Sequence, residues 1–203
     1  MYNISRWILS IIIMLGMTAF VRKSKWKKEI WAYRICGIVG IVLWFVLGFI
    51  PVENVVGPIK SIEAVYKYRN PKAEIRLIIE GEESAYVSGI EDGAEMIMVV
   101  PKAYGGWYIG TGAENKTIAS GFSNDIYYTV RQYKDTKDFY INVYHLNGEK
   151  LEIQDAYNSE YVLLEKDEEY KYDSPEYYAC VPQYDENYWI DVNGERIELR
   201  DNK

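Results

Sequence analysis

The sequence predicts an α+β protein, in which an N-terminal two-helix transmembrane hairpin precedes a mainly antiparallel β domain with one short helix. Three observations predict it. Two apolar runs lie before Val52, the net charge changes sign there, and the chain after Pro71 reads as strands separated by glycine- and asparagine-bearing turns.

The first apolar run extends from Ile4 to Val21 and is interrupted by Ser5, Arg6, Ser10 and Thr18; the second, Ile35 to Val52, carries no charge. Each approaches the roughly 20 helical residues that cross a hydrocarbon core. Gly37, Gly40 and Gly48 suit a membrane helix that meets a neighbour closely. The intervening Arg22–Arg34 loop holds six basic residues with Trp26, Trp31 and Tyr33, a composition suited to the interface. A cleaved signal peptide would place positive charge before its apolar run and small residues after it. Here the charges follow the run, and Met17-Thr18-Ala19-Phe20 is a poor cleavage site. One basic residue, Arg6, stands at the start of the first run and six follow the run, so the loop is expected in the cytoplasm and both termini outside it. Topology marking explains the loop without a separate lipid-binding role.

Residues 1–52 carry seven basic side chains against one acid, a net +6, whereas the remainder carries 16 against 29, a net −13. Nucleic acid is bound through clustered Lys and Arg, so the anionic domain excludes it as a partner. The bilayer is the expected partner, together with another membrane or envelope protein. Cys36 and Cys180 fall in different compartments, so the outer domain has no internal disulfide and relies on its hydrophobic core. Cys36 precedes its apolar run and is not placed as a lipid-attachment cysteine. Cys180 reads better as a small buried hydrophobe than as a reactive thiol.

Residues 53–60 form a linker, and the outer domain spans 61–203 with sub-halves 61–112 and 121–203. Ser61 caps a brief helix in which Ile62, Val65, Tyr66 and Arg69 share a face, and Asn70-Pro71 stops it. Ile75, Leu77 and Ile79 alternate with charged residues as one face of a half-buried strand does. Turns at Gly81-Glu82-Glu83 and Glu91-Asp92-Gly93 lead into Ala85–Ser88 and Met96–Val100, and Trp107-Tyr108-Ile109 closes the first half. An internal echo follows. Val130, Gln132 and Tyr133 are answered by Val181, Gln183 and Tyr184, and Phe139–Val143 by Tyr188–Val192. Asn147–Ile153 is answered by Asn193–Leu199, so each copy reads as two strands, an Asn-Gly turn and a third strand.

The domain holds 18 tyrosines, enough for a row of rigid rings with polar tips that would grip a ligand. The candidate ligand-binding face is Tyr140, Tyr144, Tyr184, Tyr188 and Trp189, with Tyr127-Tyr128 and Tyr177-Tyr178 as further members. Tyrosine is also a good strand residue, and that account competes with a binding face. Glu165–Glu169 and Tyr184-Asp185-Glu186-Asn187 are rich in oxygen ligands but lack calcium-loop spacing, so they read as solvated loops. His145, the single histidine, falls at a turn and reads as an exposed loop residue. No serine or cysteine has a nucleophile's context, and no zinc, HExxH or phosphate-loop pattern occurs. Gly105–Gly112 has no following lysine, and Asn115-Lys116-Thr117 is a short glycosylation sequon. No catalytic residue, metal or cofactor is expected.

Ser61–Tyr68, Gly106-Trp107-Tyr108-Ile109, Tyr133–Val143 and Tyr188–Leu199 together resemble uncharacterised membrane-anchored proteins of Gram-positive bacteria with a small extracytoplasmic α+β domain. The first half is also similar to helix-plus-sheet folds of the NTF2/cystatin type, which wrap a longer helix and often line a pocket. Neither resemblance carries a functional residue over.

The expected function is that of a membrane-anchored extracytoplasmic binding, sensing or accessory domain, without enzymatic activity. The Arg22–Arg34 loop is too short for a catalytic output, so signalling would need a partner protein. The alternatives are an envelope hydrolase using carboxylates and tyrosines in a pocket, and a structural subunit of a larger membrane complex. A cleft with two converging carboxylates would favour the hydrolase, and a flat aromatic patch would favour partner binding.

Overall fold

The computed structural model describes residues 2–26, 29–49, 51, 53–110, 115–134, 136–164, 174–185 and 187–200. The chain divides into two compact units, Met1–Gly57 and Pro58–Lys203.

The first unit contains α1 (Tyr2–Lys23), α2 (Ile30–Phe49) and α3 (Glu53–Val56). α1 and α2 pack antiparallel. Trp7 meets Trp44 edge-on at 5.3 Å near one end, and Trp26 meets Trp31 at 5.8 Å beside the turn. Midway, a Cβ on Gly40 would lie 3.0 Å from the Met14 side chain, so the small residue permits the approach. Gly37 faces open space, and the surroundings of Gly48 lie outside the described residues. The connection is shorter than the basic segment suggests, because Ile30–Arg34 contains no helix breaker and continues α2 toward the turn. α2 ends before Pro51, whose ring disfavours helical geometry in the preceding residue.

Arg6 interrupts an apolar run, and its contacts explain why. It is buried, donates to the Leu47 carbonyl at 2.6 Å and pairs with Glu53 at 3.1 Å. The Leu47 carbonyl belongs to the last turn of α2, where no intrahelical partner exists. Among the described residues one helix is long and apolar enough to cross a membrane, over Ile30–Leu47. Only 17% of that stretch is buried, unlike the core helix of a soluble domain. α1 carries Arg6 near its start and Arg22 and Lys23 in its last turn.

The second unit is β-rich. α4 (Ile62–Arg69) starts at Ser61, whose hydroxyl accepts from the Ala64 N–H at 3.2 Å, and closes at Asn70. A first sheet follows as a meander: β1 (Glu74–Glu80), β2 (Ser84–Glu91), β3 (Ala94–Ala103) and β4 (Gly106–Trp107). The second sheet has the order β5-β6-β7-β10-β9, from β5 (Asn115–Ser123), β6 (Ile126–Tyr133), β7 (Phe139–His145), β10 (Glu176–Val181) and β9 (Val162–Leu164). The third, in the order β12-β11-β8, joins β12 (Glu195–Glu198), β11 (Trp189–Val192) and β8 (Ile153–Asp155). Every described strand pairing is antiparallel.

The middle sheet is covered on both faces. Ile126, Tyr128, Val130, Ile141, Val143, Tyr177 and Val181 pack with Ile190, Val192, Ile197 and Leu199 of the third sheet's side. The alternate residues Tyr133, Tyr140 and Tyr178 pack with Leu77, Tyr86 and Val99 of the first sheet. Successive strand side chains point to opposite faces, so β6, β7 and β10 carry apolar or aromatic residues on both. On the outer side of the first sheet, α4 sends the Tyr66 hydroxyl to the Met96 carbonyl at 2.7 Å. Gly89 makes room there, since a Cβ would lie 2.6 Å from the Tyr66 hydroxyl and 2.3 Å from the Glu74 carbonyl.

The sequence echo is realised unequally. Asn193 (φ 54°) and Gly194 (φ 86°) turn β11 directly into β12, as a type I′ hairpin requires. At Asn147-Gly148 only the glycine has positive φ, 75°, and the chain crosses to pair β8 with β11. The first copy is therefore not a hairpin. His145 is a further correction: it is buried at the end of β7, and its Nδ1 accepts from the Asn147 N–H at 3.2 Å. The expected Trp107–Ile109 strand is shorter, and the β5–β6 hairpin through Asn124 (φ 48°) and Asp125 (φ 63°) is an element the sequence reading missed.

Candidate functional site

The face of the middle sheet that meets the first sheet is laid out by strand register. Tyr127, Tyr144 and Glu176 form one row across β6, β7 and β10; Thr129, Asn142 and Tyr178 form the next; Arg131, Tyr140 and Cys180 form the third. The third row is closed by packing at Tyr140, which is buried and bonded to the Ser84 hydroxyl at 2.8 Å. The first two rows open into a cavity of about 230 Å³, whose opposite wall is Tyr86, Glu95 and Ile97 of the first sheet. Arg131 of the third row and Ser174 complete the lining. A second cavity of about 450 Å³ shares Glu95 and Ile97 and reaches Arg69 and Asn115.

Two carboxylates converge within the first cavity. Tyr178 donates its hydroxyl to Glu176 Oε2, and Glu95 Oε1 stands 3.5 Å from the same hydroxyl. Asn142 donates to Glu176 Oε2 at 3.0 Å, and Ser88 donates to Glu95 Oε1 at 2.7 Å. Burial pushes the Glu176 carboxyl above the usual carboxylate range. The Tyr178 bond opposes that shift, the Glu95 charge adds to it, and Asn142 and Arg76 offset it in part. Burial likewise raises the Tyr86 and Tyr178 hydroxyls, which remain protonated donors. The charge of Arg131 acts on the Tyr86 hydroxyl in the opposite sense to Glu95 and Glu176, so both signs of charge surround that ring's tip. The walls are aromatic: Tyr127 lies 5.1 Å from Tyr144, and Tyr86 lies 5.5 Å from Tyr178.

The five residues expected to form a ligand face do not share one. Tyr144 lines the cavity, and Tyr140 is buried beside it. Tyr184 and Tyr188 point to the other side of the middle sheet. Tyr184 donates to the Leu199 carbonyl at 2.5 Å, and Tyr188 donates to Asp155 Oδ2 at 2.5 Å. Trp189 lies on the third sheet beneath the Arg196 guanidinium, 4.3 Å from the ring centre. Tyr86, Glu95, Arg131 and Glu176 were not singled out by sequence. The alternation of Tyr127, Thr129 and Arg131 along one strand face was the available signal.

Cys180 is half-buried, and burial pushes its thiol up to about 12, which leaves it a poor nucleophile. Among the described residues no group of three His, Cys, Asp or Glu is placed to hold a metal. Glu165–Glu169 and Glu186 lie outside the described residues, as do residues 111–114 near the expected meeting of the two sub-halves. Asn115 opens β5, half-buried.

The fold and site define an α+β protein with an apolar N-terminal helix and a polar, tyrosine-walled cavity between two antiparallel sheets. No known protein family, curated protein or solved structure matches the chain.

Proposed function

We propose that the chain is a membrane-anchored protein whose α1–α2 hairpin holds an extracytoplasmic ligand-binding or sensing domain, without catalytic activity. The observation that carries this reading is the pairing of an apolar, largely uncovered α2 with a β domain that keeps a charged cavity open. Arg6 supports α1 as a second span, because its charge is used on the Leu47 carbonyl and Glu53 instead of meeting lipid. The net +6 of residues 1–52 and the basic segment between the helices support a cytoplasmic turn with both termini outside. So short a turn leaves output to another membrane or envelope protein. Membership of the Gram-positive membrane-anchored group belongs to the same proposal.

The hydrolase reading draws on one specific observation, two carboxylates close together with Glu176 raised. Their meeting point argues against it. Both reach the Tyr178 hydroxyl, which fills the space a scissile bond and water would need between acid and base.

In intact cells, a membrane-impermeant reagent is expected to label tags at both chain ends and to spare a tag within Lys23–Lys28. Labelling of the Lys23–Lys28 tag instead would invert the topology. Crosslinking in cells followed by mass spectrometry is expected to recover a membrane or envelope partner. Recovery of none would remove the sensing role.

A further inference from the structure

We infer that the cavity between the first and middle sheets binds a small zwitterion, a molecule with an ammonium at one end and an acid group at the other, such as a betaine or an α-amino acid. This deepens the ligand-binding reading above and rests on it. A volume of about 230 Å³ is small for a drug-sized ligand but ample for a molecule of amino-acid size.

Both charge signs are built into the walls. Glu95 and Glu176 each use one carboxylate oxygen on neighbouring hydroxyl and amide groups, and among the described residues no hydrogen bond or ion pair engages the other. The Arg131 side chain, half-buried on β6, likewise has no hydrogen bond or ion pair among the described residues. A simple cation would meet the Arg131 charge, and a simple anion would meet two carboxylates. A molecule with both ends satisfies all three groups.

The rings favour the same class. Tyr86, Tyr127, Tyr144 and Tyr178 line the cavity with faces that attract an ammonium through their quadrupoles. Thr129 and Asn142 add neutral polar contacts to the cavity wall. The ammonium is then held near Glu95 and Glu176, and the acid group by Arg131.

The test is calorimetric titration of the full chain in lipid nanodiscs with four probes: glycine betaine, glycine, choline and 3,3-dimethylbutanoate. Choline has no acid group, and 3,3-dimethylbutanoate replaces the betaine nitrogen with carbon. At least one zwitterion is expected to bind on the order of tenfold or more tighter than either singly charged probe, consistent with one paired charge in a part-desolvated site. Glu176→Gln should weaken the zwitterion and choline but not 3,3-dimethylbutanoate. Arg131→Met should weaken the zwitterion and 3,3-dimethylbutanoate but not choline. Cooperative melting at or above the parent's melting temperature shows that each variant is folded. If choline or 3,3-dimethylbutanoate matches the zwitterions, the ligand class is overturned and the binding reading stands. If none of the four binds to the folded protein, the zwitterion inference falls, and the binding or sensing reading is decided separately by the crosslinking experiment.

Discussion

The Asp138 carboxylate occupies the space that a side chain on Gly81 would fill: a Cβ at Gly81 would lie 2.4 Å from Asp138 Cγ. Asp138 arrives from the middle sheet and accepts the Glu82 and Glu83 N–H groups at 2.9 and 2.8 Å and the Ser84 hydroxyl at 2.8 Å. It ties the β1–β2 turn of the first sheet to the strand that lines the cavity. Asp138→Ala strands three donors near a buried site, so it is expected to cost about 3 kcal/mol in urea unfolding. Gly81→Ala should cost about 1–3 kcal/mol by overpacking against Asp138.

Asp155 joins the third sheet to its core. Burial alone would raise its pKa, but hydrogen bonds from the Ser159 and Tyr157 N–H groups and the Tyr188 hydroxyl outweigh it and hold the carboxyl below its usual value. A depressed folded pKa contributes stability that is present above the unfolded value and is lost as pH falls through the folded one. Asp155→Asn is expected to flatten the acid limb of a stability–pH profile measured by chemical denaturation, lowering stability at neutral pH more than at acid pH.

Glu176 has the opposite sign. Its folded pKa is raised, so burying the charged form costs stability at neutral pH, and that cost is relieved as pH falls through the folded pKa. Glu176→Gln is expected to keep or raise the melting temperature at neutral pH. A position whose charge weakens the fold is one a binding site would retain.

The two Asn-Gly sites should respond unequally. Asn193 holds φ 54° and exchanges two hydrogen bonds with Glu152, at 2.8 and 2.9 Å. Asn193→Ala is expected to cost about 1–2 kcal/mol in equilibrium unfolding, through the left-handed backbone and the lost bond. Asn147 is exposed and takes no positive φ, so Asn147→Ala should stay within about 0.5 kcal/mol.

Arg6 and Glu53 form a pair that is testable by a double-mutant cycle. Arg6→Leu leaves the Leu47 carbonyl and Glu53 without this partner, so it should loosen the helix pair. Cysteines placed at Trp7 and Trp44, whose rings are 5.3 Å apart, should crosslink less efficiently in that variant. Adding Glu53→Leu should recover part of the loss.

Local chemistry made much of this molecule legible. Ser61 as cap, Asn70-Pro71 as stop, and the turns at Gly81-Glu82-Glu83 and Asp92-Gly93 follow from residues adjacent in sequence. The cavity was not legible, because its rows are set by which strand lies beside which. Tyr144 meets Glu176 only because β10 pairs with β7, across a connection whose strands the sequence reading did not order.

The sequence alone determined an apolar N-terminal segment, a charge reversal beyond it and a tyrosine-rich antiparallel domain, since these depend on hydropathy, charge and local backbone preference. Tertiary structure decided which face each tyrosine serves. A strand buried on both sides carries the same alternating aromatic pattern toward either neighbour, and only the packing of three sheets places Tyr184 and Tyr188 in a core and Tyr127, Tyr144 and Tyr178 around a cavity. Long-range pairing brings Glu95, Arg131 and Glu176 together, and no local rule encodes that meeting.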